Sequence, residues 1–197
     1  MRGKILLVRN ILVGLLALGL SGCAAVVVGG AAATANVAHD RRTTANFMED
    51  QQIYLKALSI YNEDEALNQV THIDISVYAK QVLLIGYAEN IEIVNAFSQR
   101  VGAIPGVRNV FNEVAVGAAP TLGDGTADSY LTARVKVALF DVKIDDFDPT
   151  RVKVSSSQGS VYLMGLLTPT EANAVTEEVR FVSGVKRVVK LFEYLPQ

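Results

Sequence analysis

The apolar and polar positions of this chain follow one pattern twice. Each copy opens with apolar residues at the i, i+4 and i+8 spacing of a helix, and two short apolar strands joined by a turn come next. A second helix and a third strand complete each copy. The clearest match pairs residues 82–86 with residues 161–165, at a separation of 79 positions. Because the matches keep one order, they predict two copies of one α-β-β-α-β unit, and two copies are too few for a solenoid.

Four glycines recur at equivalent places in the two copies. Gly86 and Gly165 close the second strands, and Gly106 and Gly184 follow the second helices. We expect the first pair to permit a sharp turn or a close approach of the chain. We expect the second pair to end each helix in the left-handed conformation. We therefore assign all four glycines structural roles rather than ligand contacts.

The start of the chain has the pattern of an export signal. Three basic residues precede the uncharged apolar residues 11–20, and small residues then lead directly into Cys23, the only cysteine of the chain. This segment resembles the lipobox of bacterial lipoproteins. The resemblance implies diacylglycerol on the Cys23 thiol, cleavage before that residue and acylation of the new N-terminus. Ala24, where an aspartate would favour inner-membrane retention, implies the outer membrane.

A transmembrane helix is the alternative interpretation of this segment. Residues 10–38 are uncharged, and that length exceeds the ~20 residues that a membrane span needs. The second half of the stretch, however, consists of small residues and is broken by Gly29 and Gly30. This composition favours a tether between a lipid anchor and the folded part of the chain.

The order of these features resembles a known architecture. The α-β-β-α-β unit, the glycine that closes strand two and the Gly-Val-x-x-Val entry to strand three are similar to the BON domain. Two such domains behind a lipobox resemble the dual-BON outer-membrane lipoproteins. The resemblance implies an α+β fold, in which each small three-stranded mixed sheet packs on two helices. It also implies a non-enzymatic, phospholipid-binding protein that faces the periplasm and supports envelope integrity.

The predicted domain organisation has five segments. The signal peptide covers residues 1–22, and the lipidated cysteine and flexible tether cover residues 23–46. The first BON domain covers residues 47–116, a linker covers residues 117–126, and the second BON domain covers residues 127–197.

Composition and charge narrow the function classes. Without the signal, the chain has 15 basic and 20 acidic residues, which argues against nucleic-acid binding. With Cys23 acylated, no thiol remains for a disulfide. His39 and His72 do not stand at the spacing of metal ligands, and no nucleophile elbow or phosphate loop is present. We therefore expect no enzyme activity, no metal and no cofactor.

The first helix of the second copy has two apolar faces. One face supplies core positions, among them Leu131 and Val135. The opposite face and its basic flanks form what we call the second stripe, which consists of Tyr130, Ala133, Arg134, Lys136, Val137 and Phe140. An exposed apolar face of this kind needs a covering. Basic residues beside aromatic ones suit the headgroup level of an anionic bilayer.

Three coverings of the second stripe remain open: anionic lipid, the first copy, or another protein. Residues 126–197 contain nine basic and nine acidic residues, whereas residues 48–116 contain four basic and nine acidic ones. The second copy can therefore approach an anionic surface, and we favour anionic phospholipid. The alternative function is a periplasmic adaptor that binds an outer-membrane assembly or cell-division protein through the same face.

Overall fold

The two copies have the same order of helices and strands. The computed structural model describes residues 41–117 and 122–195. The elements of the first copy are α1 (Thr44–Asn62), α2 (Glu65–Val70), β1 (Thr71–Tyr78), β2 (Gln81–Ala88), α3 (Ile91–Gly102) and β3 (Asn109–Val116). Those of the second copy are α4 (Leu122–Ala138), two 3₁₀ turns (Leu139–Asp141 and Pro149–Arg151), β4 (Lys153–Ser157), β5 (Ser160–Leu167), α5 (Pro169–Arg180) and β6 (Arg187–Tyr194). The predicted α+β class is confirmed.

Each copy contains one three-stranded mixed sheet. The middle strand, β2 or β5, pairs antiparallel with the strand before it and parallel with the last strand of its copy. The helices of each copy pack on one face of its sheet. There they bury a separate apolar core, in which Val94 and Phe97 belong to the first copy and Val135 and Leu163 to the second.

The two sheets pack on each other through their remaining faces. Leu83 in the first copy and Tyr162 in the second are both buried in this joint core, and they stand 79 positions apart in the sequence. Ser76 and Ser155, also 79 positions apart, bring their hydroxyl oxygens to 3.3 Å. The interface therefore joins equivalent positions, as in a two-fold symmetric dimer. Because both faces of β2 and β5 are covered, these strands need continuous apolar runs.

Gly86 shows why a glycine recurs near the end of each middle strand. A Cβ on Gly86 would lie 2.0 Å from the backbone oxygen of His72 in the neighbouring strand, and its φ is +130°. The expectation that Gly86 and Gly165 close their strands is wrong, because each strand continues for two more residues. Gly106 and Gly184 have the expected positive φ values, +95° and +99°. The expectation that they end the second helices is wrong, because those helices end at Gly102 and Arg180, four residues before each glycine.

Two expected boundaries differ from the structure. The tether was expected to reach residue 46, but α1 begins at Thr44, where the Thr43 side chain accepts a hydrogen bond from the Asn46 N–H. The linker was expected to reach residue 126, but α4 begins at Leu122. Glycine lowers helix propensity by only about 1 kcal/mol, so an established helix can extend through residues 123–125. The predicted lipidation site and most of the tether lie outside the described residues.

A buried carboxylate holds the turn between β1 and β2. Asp50 is only 2% exposed and accepts hydrogen bonds from the backbone N–H groups of Ala79 and Lys80, both at 2.7 Å. It also pairs with Arg42 at 2.5 Å. Ala79 and Lys80 have φ values of +49° and +65°, which residues other than glycine rarely adopt. The Asp50 carboxylate therefore stabilises a strained two-residue turn.

The residue before Arg42 contacts the second copy. Arg41 donates two hydrogen bonds to the Glu171 carboxylate, at 2.6 and 2.8 Å. Glu171 also completes the predicted capping box with Thr168 at the start of α5. Burial of Glu171 acts to raise its pKa, but the hydrogen bonds from Arg41 and Thr168 outweigh that effect and lower the pKa below its usual value. Arg41 and Arg42 thus tie the start of the folded region to both copies.

Candidate functional site

The second stripe lies on the exposed side of α4. Tyr130, Val137 and Phe140 are 65%, 68% and 72% exposed, and Phe140 stands in the 3₁₀ turn that follows the helix. Ala133 is also exposed. On the other side of the helix, Leu131 and Val135 are buried in the core of the second copy, as the sequence predicted. The helix therefore presents large apolar side chains that its own core does not use.

The first copy does not cover the second stripe. The contact between the copies is formed by the outer faces of the two sheets, with Leu83 and Ile85 opposite Tyr162 and Met164. The large apolar side chains of the stripe remain exposed although both copies are present. Of the three coverings considered, packing on the first copy is therefore excluded.

Positive charge accompanies the stripe. The Arg134 guanidinium lies 5.7 Å from the centroid of the Tyr130 ring, a cation–π distance. Lys136 is exposed and lies near Lys153, whose ammonium donates a hydrogen bond to the Val77 oxygen at 3.3 Å. Although the Lys153 residue as a whole is exposed, burial of its ammonium lowers its pKa, and the charges of Arg42 and Lys136 add to that effect.

Two exposed aromatic residues, Phe181 and Tyr194, were not identified from the sequence. Phe181, at the end of α5, is 71% exposed and stacks with Arg180 at 4.3 Å. Its equivalent in the first copy, 78 positions earlier, is Ala103. Ala103 lines a surface depression together with Lys56 and Ser59.

The equivalence of the copies places Phe181 beside the second stripe. The positions equivalent to Lys56 and Ser59 are Arg134 and Val137, 78 residues later. In both copies, the glycine that follows the second helix packs against the equivalent residue of the first helix. A Cβ on Gly106 would approach Ile53 at 3.7 Å, and one on Gly184 would approach the equivalent Leu131 at 3.4 Å. Phe181 therefore extends the apolar surface around Val137.

Comparison with known proteins agrees with this architecture. The BON domain model matches residues 50–118 and 127–196. The chain belongs to the BON-domain family. It is 34% identical to the outer membrane lipoprotein DolP of Haemophilus influenzae over 177 residues, which are 89% of this chain and 90% of that protein. The protein is thus a dual-BON outer-membrane lipoprotein, as the lipobox and the repeat predicted, and it faces the periplasm.

Two further similarities are more distant. The chain is 28% identical to the 21 kDa hemolysin of Actinobacillus pleuropneumoniae over 79% of each protein. A solved structure of CdsD, a structural protein of the type III secretion system of Chlamydia trachomatis, covers 74% of this chain and 93% of that one. Its TM-score is 0.30 at 13% identity, and this likeness carries no argument. Neither curated relative has the name of an enzyme.

The two BON domains differ at the surface that includes the second stripe. The second BON domain has large exposed apolar residues where the first has polar or small ones, and the pairs are Tyr130 with Gln52, Val137 with Ser59, Phe140 with Asn62, and Phe181 with Ala103. Leu55 is the exception, because it is 60% exposed at the position equivalent to Ala133. Comparison of the two copies is the sequence signal that would have found Phe181.

The side chains of this surface suit contact with an apolar, anionic phase. Among residues 41–117 and 122–195, no group of three or more His, Cys, Asp or Glu side chains could hold a metal ion. In the same ranges, no helix is long and apolar enough to cross a bilayer. Aromatic and aliphatic side chains beside arginine and lysine can enter an apolar phase while the cations stay with anionic groups.

Proposed function

We propose that this lipoprotein binds anionic phospholipid, without enzymatic activity, through the second stripe and Phe181. The observation that carries the proposal is that the second domain exposes large apolar side chains at three positions where the first domain has polar ones. Tyr130, Val137 and Phe140 are exposed in the second BON domain, whereas the equivalent positions of the first domain are polar. Two domains with one fold would share these residues if the fold required them.

The energetics favour insertion at the headgroup level. Full burial of a large apolar side chain contributes about 1.5–3 kcal/mol, and each Lys or Arg near an anionic surface contributes about 1 kcal/mol. The apolar residues therefore supply most of the affinity, and Arg134 and Lys136 supply the preference for anionic lipid. This division predicts that both kinds of residue are needed.

The lipid anchor raises the effective concentration of the domain at the membrane. Cys23 and Arg41 are 18 positions apart, so the tether can span at most about 60 Å. A domain held within that distance of a bilayer meets it at high effective concentration. Weak contact through the second stripe would then suffice to hold the domain against the surface, and this would support envelope integrity.

Removal of the two aromatic residues of the second stripe tests the proposal. Tyr130→Ala with Phe140→Ala should reduce co-sedimentation of the unlipidated chain with phosphatidylglycerol vesicles by at least about 30-fold, since roughly 2 kcal/mol or more of insertion is lost. The unfolding midpoint should change little, because both side chains are exposed. Leu55→Ala with Leu58→Ala in the first BON domain is the matched control and should leave vesicle binding unchanged.

Charge reversal separates lipid from a protein partner. Arg134→Glu with Lys136→Glu should weaken binding to phosphatidylglycerol vesicles, and raised salt should have the same effect. Phosphatidylcholine vesicles should bind weakly in every case. Unchanged vesicle binding by a folded Tyr130/Phe140 variant would contradict the proposal and leave the adaptor function as the alternative for this face.

The anchor gives a separate prediction. Cys23→Ser should block lipidation and leave unprocessed precursor, which a gel shift would show. The wild-type chain should float with outer-membrane fractions in a density gradient, and Ala24→Asp should move it to inner-membrane fractions. Wild-type protein released as a soluble periplasmic species would contradict the anchor.

A further inference from the structure

A cleft of about 700 Å³ lies between the two BON domains, apart from the second stripe. One wall is formed by β1 and the end of β2, including Asp74 and Tyr87. The other wall is formed by β4 and the first half of α4, including Asp128 and Thr132. The volume lies within the range of about 300–1,000 Å³ that ligand sites occupy.

The free edge of the second sheet faces this cleft. Among the residues that the structure describes, the strand β4 pairs only with β5, so its other side is an edge. Ser157 and Ser160 close a two-residue turn and exchange hydrogen bonds with each other. Alternation along the strand then directs the backbone N–H and C=O groups of Val154 and Ser156 away from β5, and both residues line the cleft.

Ser156 adds a polar side chain without a partner. The residue is 9% exposed, and its Oγ has no hydrogen-bond partner within the described residues. A buried unsatisfied hydroxyl destabilises a fold by about 1–3 kcal/mol. The equivalent residue of the first BON domain, 79 positions earlier, is Val77, so the fold does not require a hydroxyl here.

The lining of the cleft is acidic. Asp74, Glu89 and Asp128 line it, and none of the described residues that line it is Lys or Arg. None of these three carboxylates forms an ion pair within residues 41–117 and 122–195. The cleft therefore favours a cationic occupant.

We propose that the cleft binds an extended, Lys- or Arg-bearing segment of another protein, which adds a strand to β4. The backbone groups of Val154 and Ser156 repeat at about 6.8 Å, the spacing that another extended backbone matches. Basic side chains of that segment pair with Asp74 and Asp128 on the two walls. The Ser156 hydroxyl gains a partner in the bound segment.

The chain's own tether and linker do not have this chemistry. Residues 23–40 contain no Lys or Arg, and neither do residues 117–126. The occupant therefore comes from another polypeptide. The site is independent of the proposed lipid contact, because Asp128 and Thr132 lie on a different side of α4 from Tyr130 and Val137.

Selection from a displayed library of random ten-residue peptides tests this proposal with the unlipidated mature chain. Enriched peptides should carry an excess of Lys and Arg, and they should bind at least 10-fold less well to Asp74→Asn with Asp128→Asn. A synthetic enriched peptide should slow hydrogen exchange at the Val154 and Ser156 amides. It should not compete with phosphatidylglycerol vesicles, which keeps this result distinct from that of the lipid proposal.

Two substitutions at Ser156 distinguish strand addition from electrostatic attraction of basic peptides to the acidic cleft. Ser156→Pro removes an edge donor and should reduce peptide affinity at least 10-fold. Ser156→Val restores the residue type of the first domain, should fold at least as stably, and should reduce affinity by a smaller factor. Glu177→Gln with Glu178→Gln is the charge-matched control and should have no effect. Enrichment of acidic peptides, no enrichment, or binding insensitive to Ser156→Pro and to the Asp74/Asp128 variant would overturn the proposal.

Discussion

Replacement of Asp50 by alanine is expected to lower the free energy of unfolding by about 3–5 kcal/mol. This is the usual cost of removing one partner of a buried ion pair. The change would remove the buried carboxylate that pairs with the Arg42 guanidinium. It would also leave the backbone N–H groups of Ala79 and Lys80 without their acceptor. Urea unfolding followed by circular dichroism measures the effect.

The neighbouring carboxylate provides the control for this prediction. Glu49 pairs with Lys80 at 2.5 Å, but both side chains are substantially exposed. Exposed ion pairs contribute about 0–1 kcal/mol, so Glu49→Ala should change stability by less than about 1 kcal/mol. Equal effects of the two substitutions would show that the Asp50 carboxylate does not hold the turn.

Local signals explain what could be predicted from the sequence. The capping box of Thr168 and Glu171 depends on residues three positions apart, and the apolar face of Leu131 and Val135 depends on helical spacing. Both are present in the structure. The role of Asp50 gave no such signal, because the turn that it holds is 29 positions away and contains no glycine. Only the tertiary fold brings these groups together.

The sequence could predict that the second stripe forms one face of a helix, but it could not predict what covers that face. Helical spacing identified the face of Tyr130 and Val137, but spacing does not reveal what lies opposite. The structure removes the first copy as a covering, because the sheets form the contact between domains. Phe181 could be assigned to this surface only by comparing the two copies, since nothing within its own helix marks it as exposed.

The joint core shows what the apolar run of each middle strand means. Residues 82–86 and 161–165 are matching, nearly continuous apolar runs, and such a run is typical of strands buried on both faces. The helices cover one face. The second face of β2, at Leu83 and Ile85, is covered by the equivalent face of the other domain. Each domain alone would expose that face to water.

The first BON domain expressed alone, as residues 40–118, is therefore expected to dimerise. Leu83, Ile85 and Phe111 would lose Tyr162, Met164 and Val189, which occupy the equivalent positions of the second domain. A second copy of the same face can replace them, because the contact already joins equivalent positions. Sedimentation equilibrium should give a dimer with a dissociation constant of about 10 μM or lower.

Leu83→Lys should give a folded monomer, since it places a charge in the centre of the contact. A folded monomer of the unsubstituted domain would show that the outer sheet face needs no covering.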